Sequence, residues 1–240
     1  MTRLILVFIF LQLNWLGLSA QTAEKDSVEI EVKQLIDQGG SLIKRRQLDS
    51  AVVLLKYTLD YTERELGEDH LLAGVIAHTL GYVHMVQEQQ DEAQSYYLEA
   101  LRIRRINYSP PNAELALTLN GLGVTYENEG NFTLAESHYI EARTNWEGAY
   151  GKDHYRCSWA QYNLGKLYNR IGRDQEAVEC LTEALRVKQA NLSADDPDIG
   201  QTLVVLSGAY YQLGDFAGYE ATALRAAEIW KKQKGANDLL

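Results

Sequence analysis

A period of 42 residues constrains this chain more than any other feature. Leu80-Gly81, Leu122-Gly123, Leu164-Gly165 and Leu206-Ser207 stand 42 residues apart, and so do Ala51, Ala93, Ala135 and Ala177. The same shift superimposes Gly130, Gly172 and Gly214, and it extends three of the segments to Leu122-Gly-Val-Thr-Tyr126, Leu164-Gly-Lys-Leu-Tyr168 and Leu206-Ser-Gly-Ala-Tyr210. Units starting at 28, 70, 112, 154 and 196 divide the chain into five repeats, 28–69, 70–111, 112–153, 154–195 and 196–237. Within a unit, apolar residues recur at helical spacing, as at Leu115, Leu119, Leu122 and Tyr126 and again at Phe132, Ala135, Tyr139 and Ala142. Each unit is therefore two helices, predicted at 28–45 with 48–66, 71–87 with 91–106, 112–129 with 132–150, 154–171 with 174–190, and 197–213 with 216–234.

The turn between paired helices has its own signal. Glu129-Gly130-Asn131-Phe132 and Leu213-Gly214-Asp215-Phe216 put a glycine where a helix ends in the left-handed conformation, and Asn or Asp where the next begins. A glycine inside each first helix costs about 1 kcal/mol of propensity against alanine, so close helix approach is the expected compensation, with Gly81, Gly123 and Gly165 facing Ala93, Ala135 and Ala177. Only three prolines interrupt the 240 residues, at 110, 111 and 197, which suits an all-helical chain.

Residues 1–20 follow a different logic. Met-Thr-Arg precedes an apolar run from Leu4 to Leu18, broken by Gln12, Asn14 and Gly17, and Ser19-Ala20 precedes Gln21. That is the layout of a secretory signal peptide cut after Ala20, leaving a linker at 21–27. A retained membrane anchor is the alternative, although the run is shorter than the roughly 20 apolar residues that span a bilayer. Loss of Arg3, the only charge in this segment, takes the net charge from -10 to -11. Such a chain repels phosphate, so nucleic acid is excluded as the expected partner.

The repeat signature, Leu-Gly-x-x-Tyr, a turn glycine, then Ala and a later Tyr-x-Glu-Ala, resembles the tetratricopeptide repeat. The joints Gly67-Glu-Asp-His70 and Gly151-Lys-Asp-His154 are similar to those of the long repeats of kinesin light chains. The resemblance covers residues 28 to about 237 and departs at the ends, where Leu42 and Leu55 replace aromatics and Tyr219 takes a small-residue position. It implies an all-α, right-handed α-solenoid of five helix-turn-helix repeats, ten helices in all. It implies also a concave groove, lined by first helices, that receives a protein or peptide. Carried over by position, the groove residues are His78, Tyr82 and Met85; Asn120, Val124, Glu127 and Asn128; Trp159, Tyr162, Lys166, Asn169 and Arg170; and Gln201, Tyr211 and Gln212. Tyr, Trp and Arg commonly anchor interfaces. The alternative packs Trp159 and Tyr162 between repeats and leaves Lys166 and Arg170 solvated. Lys166-x-x-x-Arg170 resembles half of the carboxylate clamp of chaperone-binding members, but Tyr82-x-x-x-Val86 replaces the other half.

Catalytic signals are sparse. His70, His78, His84, His138 and His154 form no metal-binding helix motif, His70 and His154 read as helix-start residues, and no nucleophile elbow or phosphate loop occurs. Asp195-Asp-Pro-Asp198 reads as a helix start rather than a calcium loop. Cys157 and Cys180 read as buried small residues too far apart to bridge. Three sequons, at Asn107, Asn131 and Asn191, fall at turns or joints. The expectation is a non-catalytic scaffold without cofactor, metal or small-molecule substrate, exported to the periplasm or the extracellular space as in bacteria, whose partner is a protein or peptide, an acidic one included. Membrane contact follows only if the first segment is retained. The competing expectation is the sensor or recruitment arm of a longer signalling protein of the CHAT or histidine-kinase type.

Overall fold

The computed structural model describes residues 24–237, with side chains described to residue 233. The expected signal segment lies outside the described residues. A first helix, α1, covers 24–44, so residues 24–27 of the expected linker are helical. There follow α2 (Leu48–Leu66), α3 (Leu71–Val86), α4 (Gln90–Asn107), α5 (Ala113–Asn128), α6 (Phe132–Tyr150), α7 (Cys157–Arg170), α8 (Asp174–Asn191), α9 (Pro197–Leu213) and α10 (Phe216–Asn237). The described residues contain ten helices and no strand. The chain forms two compact units, Met1–Asn107 and Tyr108–Leu240.

In the first unit α2 packs on α3 and α3 on α4, around a core of Val32, Leu55, Ile76, Leu80, Val83 and Ile103. In the second, the hairpins α5–α6, α7–α8 and α9–α10 stack through α6 on α7 and α8 on α9, and the first helices α5, α7 and α9 also touch in succession. Every alanine of the 42-residue register is buried. So are the register leucines Leu80, Leu122, Leu164 and Leu206.

The turn position is left-handed in all five repeats. Gly130, Gly172 and Gly214 have φ of 80°, 76° and 75°, and Arg46 and Glu88, at the same register, have φ of 58° and 62°. Caps follow the sequence: the His70 ring accepts from the Leu72 amide, Asn112 from Glu114 and Leu115, Asn131 from Leu134, and Asp196 from Asp198. One boundary moves. His154 caps a short turn through Arg156, and α7 begins at Cys157 rather than at 154.

The in-helix glycines receive large side chains from the second helix. A Cβ on Gly81 or Gly123 would meet the rings of Tyr97 and Tyr139, at 2.8 Å and 2.4 Å, and one on Gly165 would lie 2.5 Å from the Leu181 side chain. These residues stand four beyond the expected alanines, one helical turn along the second helix. The glycine thus receives a large side chain onto its backbone, and at Gly165 the carbonyl of the expected Ala177 also lies 3.2 Å from that point.

Candidate functional site

The shared face of α5, α7 and α9 carries the polar and aromatic stripe. Trp159, Asn163, Lys166 and Arg170 recur at helical spacing on α7, opposite Asn120 and Glu127 of α5 and Gln201 of α9. Asn120, Trp159, Tyr162, Asn163, Lys188, Asp198 and Gln201 line one open cavity of about 220 Å³. The Asn163 amide donates to the Asn120 side chain at 2.9 Å. Trp159 is half-buried, edge-on to Trp146 at 5.9 Å and to Tyr155 at 5.8 Å, with the Arg156 guanidinium 4.7 Å from its ring centre. It packs between repeats and lines the cavity at once.

Lys188 closes the cavity from α8. It is buried, and its ammonium donates to the Thr202 hydroxyl at 3.0 Å and the Asp198 carbonyl at 3.3 Å, 4.6 Å from the Tyr162 ring centre. Burial pushes the Lys188 amine below its usual range against the opposing pull of Asp198 and Asp196. Burial likewise raises the Tyr162 hydroxyl, with Glu127 and Asp198 adding. The Asp198 carboxylate accepts from the Tyr155 hydroxyl.

Further along α7, Lys166 and Arg170 converge on one buried carboxylate. Glu127 Oε1 lies 3.3 Å from Lys166 Nζ and 3.8 Å from the Arg170 guanidinium, and Glu127 Oε2 accepts from the Tyr139 hydroxyl at 2.9 Å. Arg170 also donates to the Glu127 carbonyl and lies 5.1 Å from the Phe132 ring centre. The two cations expected in the groove thus share Glu127, a triad whose local charge is a single positive.

The other expected groove residues are dispersed. Asn169 is half-buried beside Gly208, and Asn128 and Gln212 are exposed. Tyr211 joins Phe216 and Tyr219 in an exposed aromatic cluster at the α9–α10 turn. In the first unit, Tyr82 is exposed and His78 packs on Tyr97 at 5.3 Å. Burial, helped by Arg104, pushes the His78 imidazole down to about 3.

Asn163, Lys188, Asp198 and Tyr155 were missed by the groove positions. Lys188 had a signal: Thr62, Arg104, Trp146 and Lys188 share one register on the second helix, and all four are buried. Asp198 read only as part of a helix start, which it also is. Among the described residues no cluster of three or more His, Cys, Asp or Glu is placed to hold a metal, and no helix is long and apolar enough to cross a membrane. The Cys157 thiol donates to the Gly151 carbonyl and is pushed up to about 11 by burial.

Two tetratricopeptide-repeat family models match, over residues 75–112 and 114–190. The chain is a tetratricopeptide-repeat protein, with repeats of the kinesin-light-chain kind. Kinesin light chain-related protein 2 of Arabidopsis thaliana is 24% identical over 64% of this chain and 23% of its own length. The RxLR effector protein SFI4 of Phytophthora infestans is 21% identical over 88% of this chain and 65% of its own. The chain thus spans less than two thirds of either relative. Among solved structures, BtubC (BKLC) from P. vanneervenii superimposes with a TM-score of 0.76 at 26% identity, covering 87% of this chain and 83% of that one. The tetratricopeptide fold is a scaffold for protein–protein interaction, and this chain carries it.

Proposed function

We propose that this tetratricopeptide-repeat protein is a non-catalytic, exported scaffold that binds an extended protein or peptide segment along the α5, α7 and α9 face of its second unit. The observation that supports this most is the convergence of Asn120, Trp159, Tyr162, Asn163 and Gln201 on one cavity of about 220 Å³, large enough for a side chain and open to a chain passing over it. Amide side chains offer both donors and acceptors to a peptide backbone, while the aromatic rings supply apolar contact area. The Glu127 triad leaves one net positive charge beside the cavity, which favours an acidic group in the bound segment without requiring one. Export rests on the layout of residues 1–20.

Selection from a displayed peptide library, followed by calorimetry with a selected peptide, tests the groove. Trp159→Ala and Asn163→Ala should each weaken binding by about tenfold or more, as truncation of an interface anchor does. Undiminished affinity in both variants, with their helical signal intact, removes the site from this face. Fractionation of cells expressing the full chain tests export separately, the expected product being a secreted chain beginning at Gln21.

A further inference from the structure

The last helix of the second unit bares a face that its register counterparts bury. Trp230 occupies the position of Trp146 and Lys188, both of which meet the following first helix, Trp146 at Trp159 of α7 and Lys188 at Thr202 of α9. Trp146 is fully buried and Lys188 is 3% exposed, whereas Trp230 is 44% exposed, its indole lying across Gly200. Phe216 takes the place of Phe132, over which Arg170 lies, and is 64% exposed. Phe216, Glu220, Ala223, Ala227 and Trp230 alternate at spacings of four and three residues, so at about 100° per residue they share one face. Leu224, 60% exposed, and Lys231 flank it. From these places Phe132, Trp146 and Lys188 of the preceding hairpins meet the next repeat, at Arg170, Trp159 and Thr202.

The charges on that face say what covers it. Glu220 and Lys231 are both exposed and stand eleven residues apart, about three helical turns, hence on the same edge. An antiparallel copy of α10 placed about a two-fold axis between Arg225 and Ala226 sets Glu220 of each chain against Lys231 of the other. The same operation brings the large Trp230 onto Ala221 and Leu224 onto Ala227, so size complements size as charge complements charge. A parallel arrangement would oppose like charges at both ends. A two-fold interface must be self-complementary in this sense, and few single helices are.

We infer that the chain pairs with a second copy of itself through α10, antiparallel about a two-fold axis near Arg225. The interface is one helix wide and is expected to be reversible, with a dissociation constant of about 1–100 μM. Sedimentation velocity on the full chain over that range should show mass moving from monomer to dimer. Glu220→Lys and Lys231→Glu each place like charges opposite one another twice, and each should weaken pairing by about tenfold. The combined Glu220→Lys, Lys231→Glu variant should restore it, because the exchanged charges meet again. Both positions altered are solvent-exposed, and circular dichroism serves as the check that each variant stays folded. A monomer at every concentration overturns the proposal, and so does a dimer indifferent to the single reversals or one that the double exchange fails to restore.

Discussion

Five turn positions spaced by 42 residues adopt the left-handed conformation, and two of them carry side chains. A non-glycine residue pays roughly 1–2 kcal/mol for that conformation, and glycine gives back part of the difference through its greater freedom when unfolded. Glu88, at φ 62°, is exposed and starts no helix, so Glu88→Gly should stabilise the chain by about 0.5–1 kcal/mol, read as a rise in the urea midpoint at unchanged slope. His78 makes the opposite kind of case. Its folded imidazole is held down to about 3 by burial and by Arg104, below the unfolded value of about 6.5. The unfolded chain therefore binds a proton that the folded chain refuses, and stability falls as pH drops from about 6.5 toward 3. At pH 5 the loss from this group amounts to about 2 kcal/mol. His78→Gln should flatten the midpoint-against-pH curve in that window, and an unaltered curve would show that His78 is not the group responsible.

Helix pairing was legible in the sequence because each hairpin repeats the same solution, and the period marks all five copies. What the period does not encode is which side chain comes to lie on a glycine, since the atoms nearest a Cβ on Gly123 belong to Tyr139, one turn beyond the register alanine. Tyr139 lies flat against Gly123 and sends its hydroxyl on to Glu127. Gly123→Ala would put a methyl 2.4 Å from that ring, and a buried tyrosine wedged between two helices cannot retreat without breaking its bond to Glu127. The expected cost is about 1–3 kcal/mol. Gly123→Ala combined with Tyr139→Leu should recover part of it, and additive losses in the double variant would refute the contact. The joints repeat as faithfully as the hairpins. Asn107 and Asn191 each spend both amide hydrogens, one on the carbonyl of Asp69 or Asp153 and one within their own helix, and Gln233 reaches the Asp195 carbonyl from the corresponding place. Two of the three sequons are thus joint fasteners. The candidate site was half legible for a related reason: Asn120, Trp159, Tyr162 and Gln201 stand at two repeating positions of the first helix, whereas Lys188 and Asp198 reach the cavity only because neighbouring repeats bring α8 and α9 together behind it.

Across the whole molecule the net charge is -10, so an acidic segment approaching from solution is repelled until it is within about a Debye length of the groove, ~8 Å at physiological salt. Inside that distance the local charges decide, and there Glu127 cancels one of the two cations of α7. Glu127→Gln keeps an acceptor for the Tyr139 hydroxyl and nearly the same volume, while it frees Lys166 and Arg170 to meet a ligand and moves the net charge to -9. Because Lys166 is 38% and Arg170 53% exposed, water solvates them when the carboxylate is gone, and the variant should lose little stability. Its affinity for an acidic peptide selected on the parent chain should rise by about three- to tenfold, with a steeper fall on adding salt, whereas a neutral peptide seated over Trp159 and Asn163 should bind the two proteins alike. Calorimetry at two salt concentrations separates these cases. An acidic peptide whose affinity is unchanged by Glu127→Gln would place its charged group away from Lys166 and Arg170.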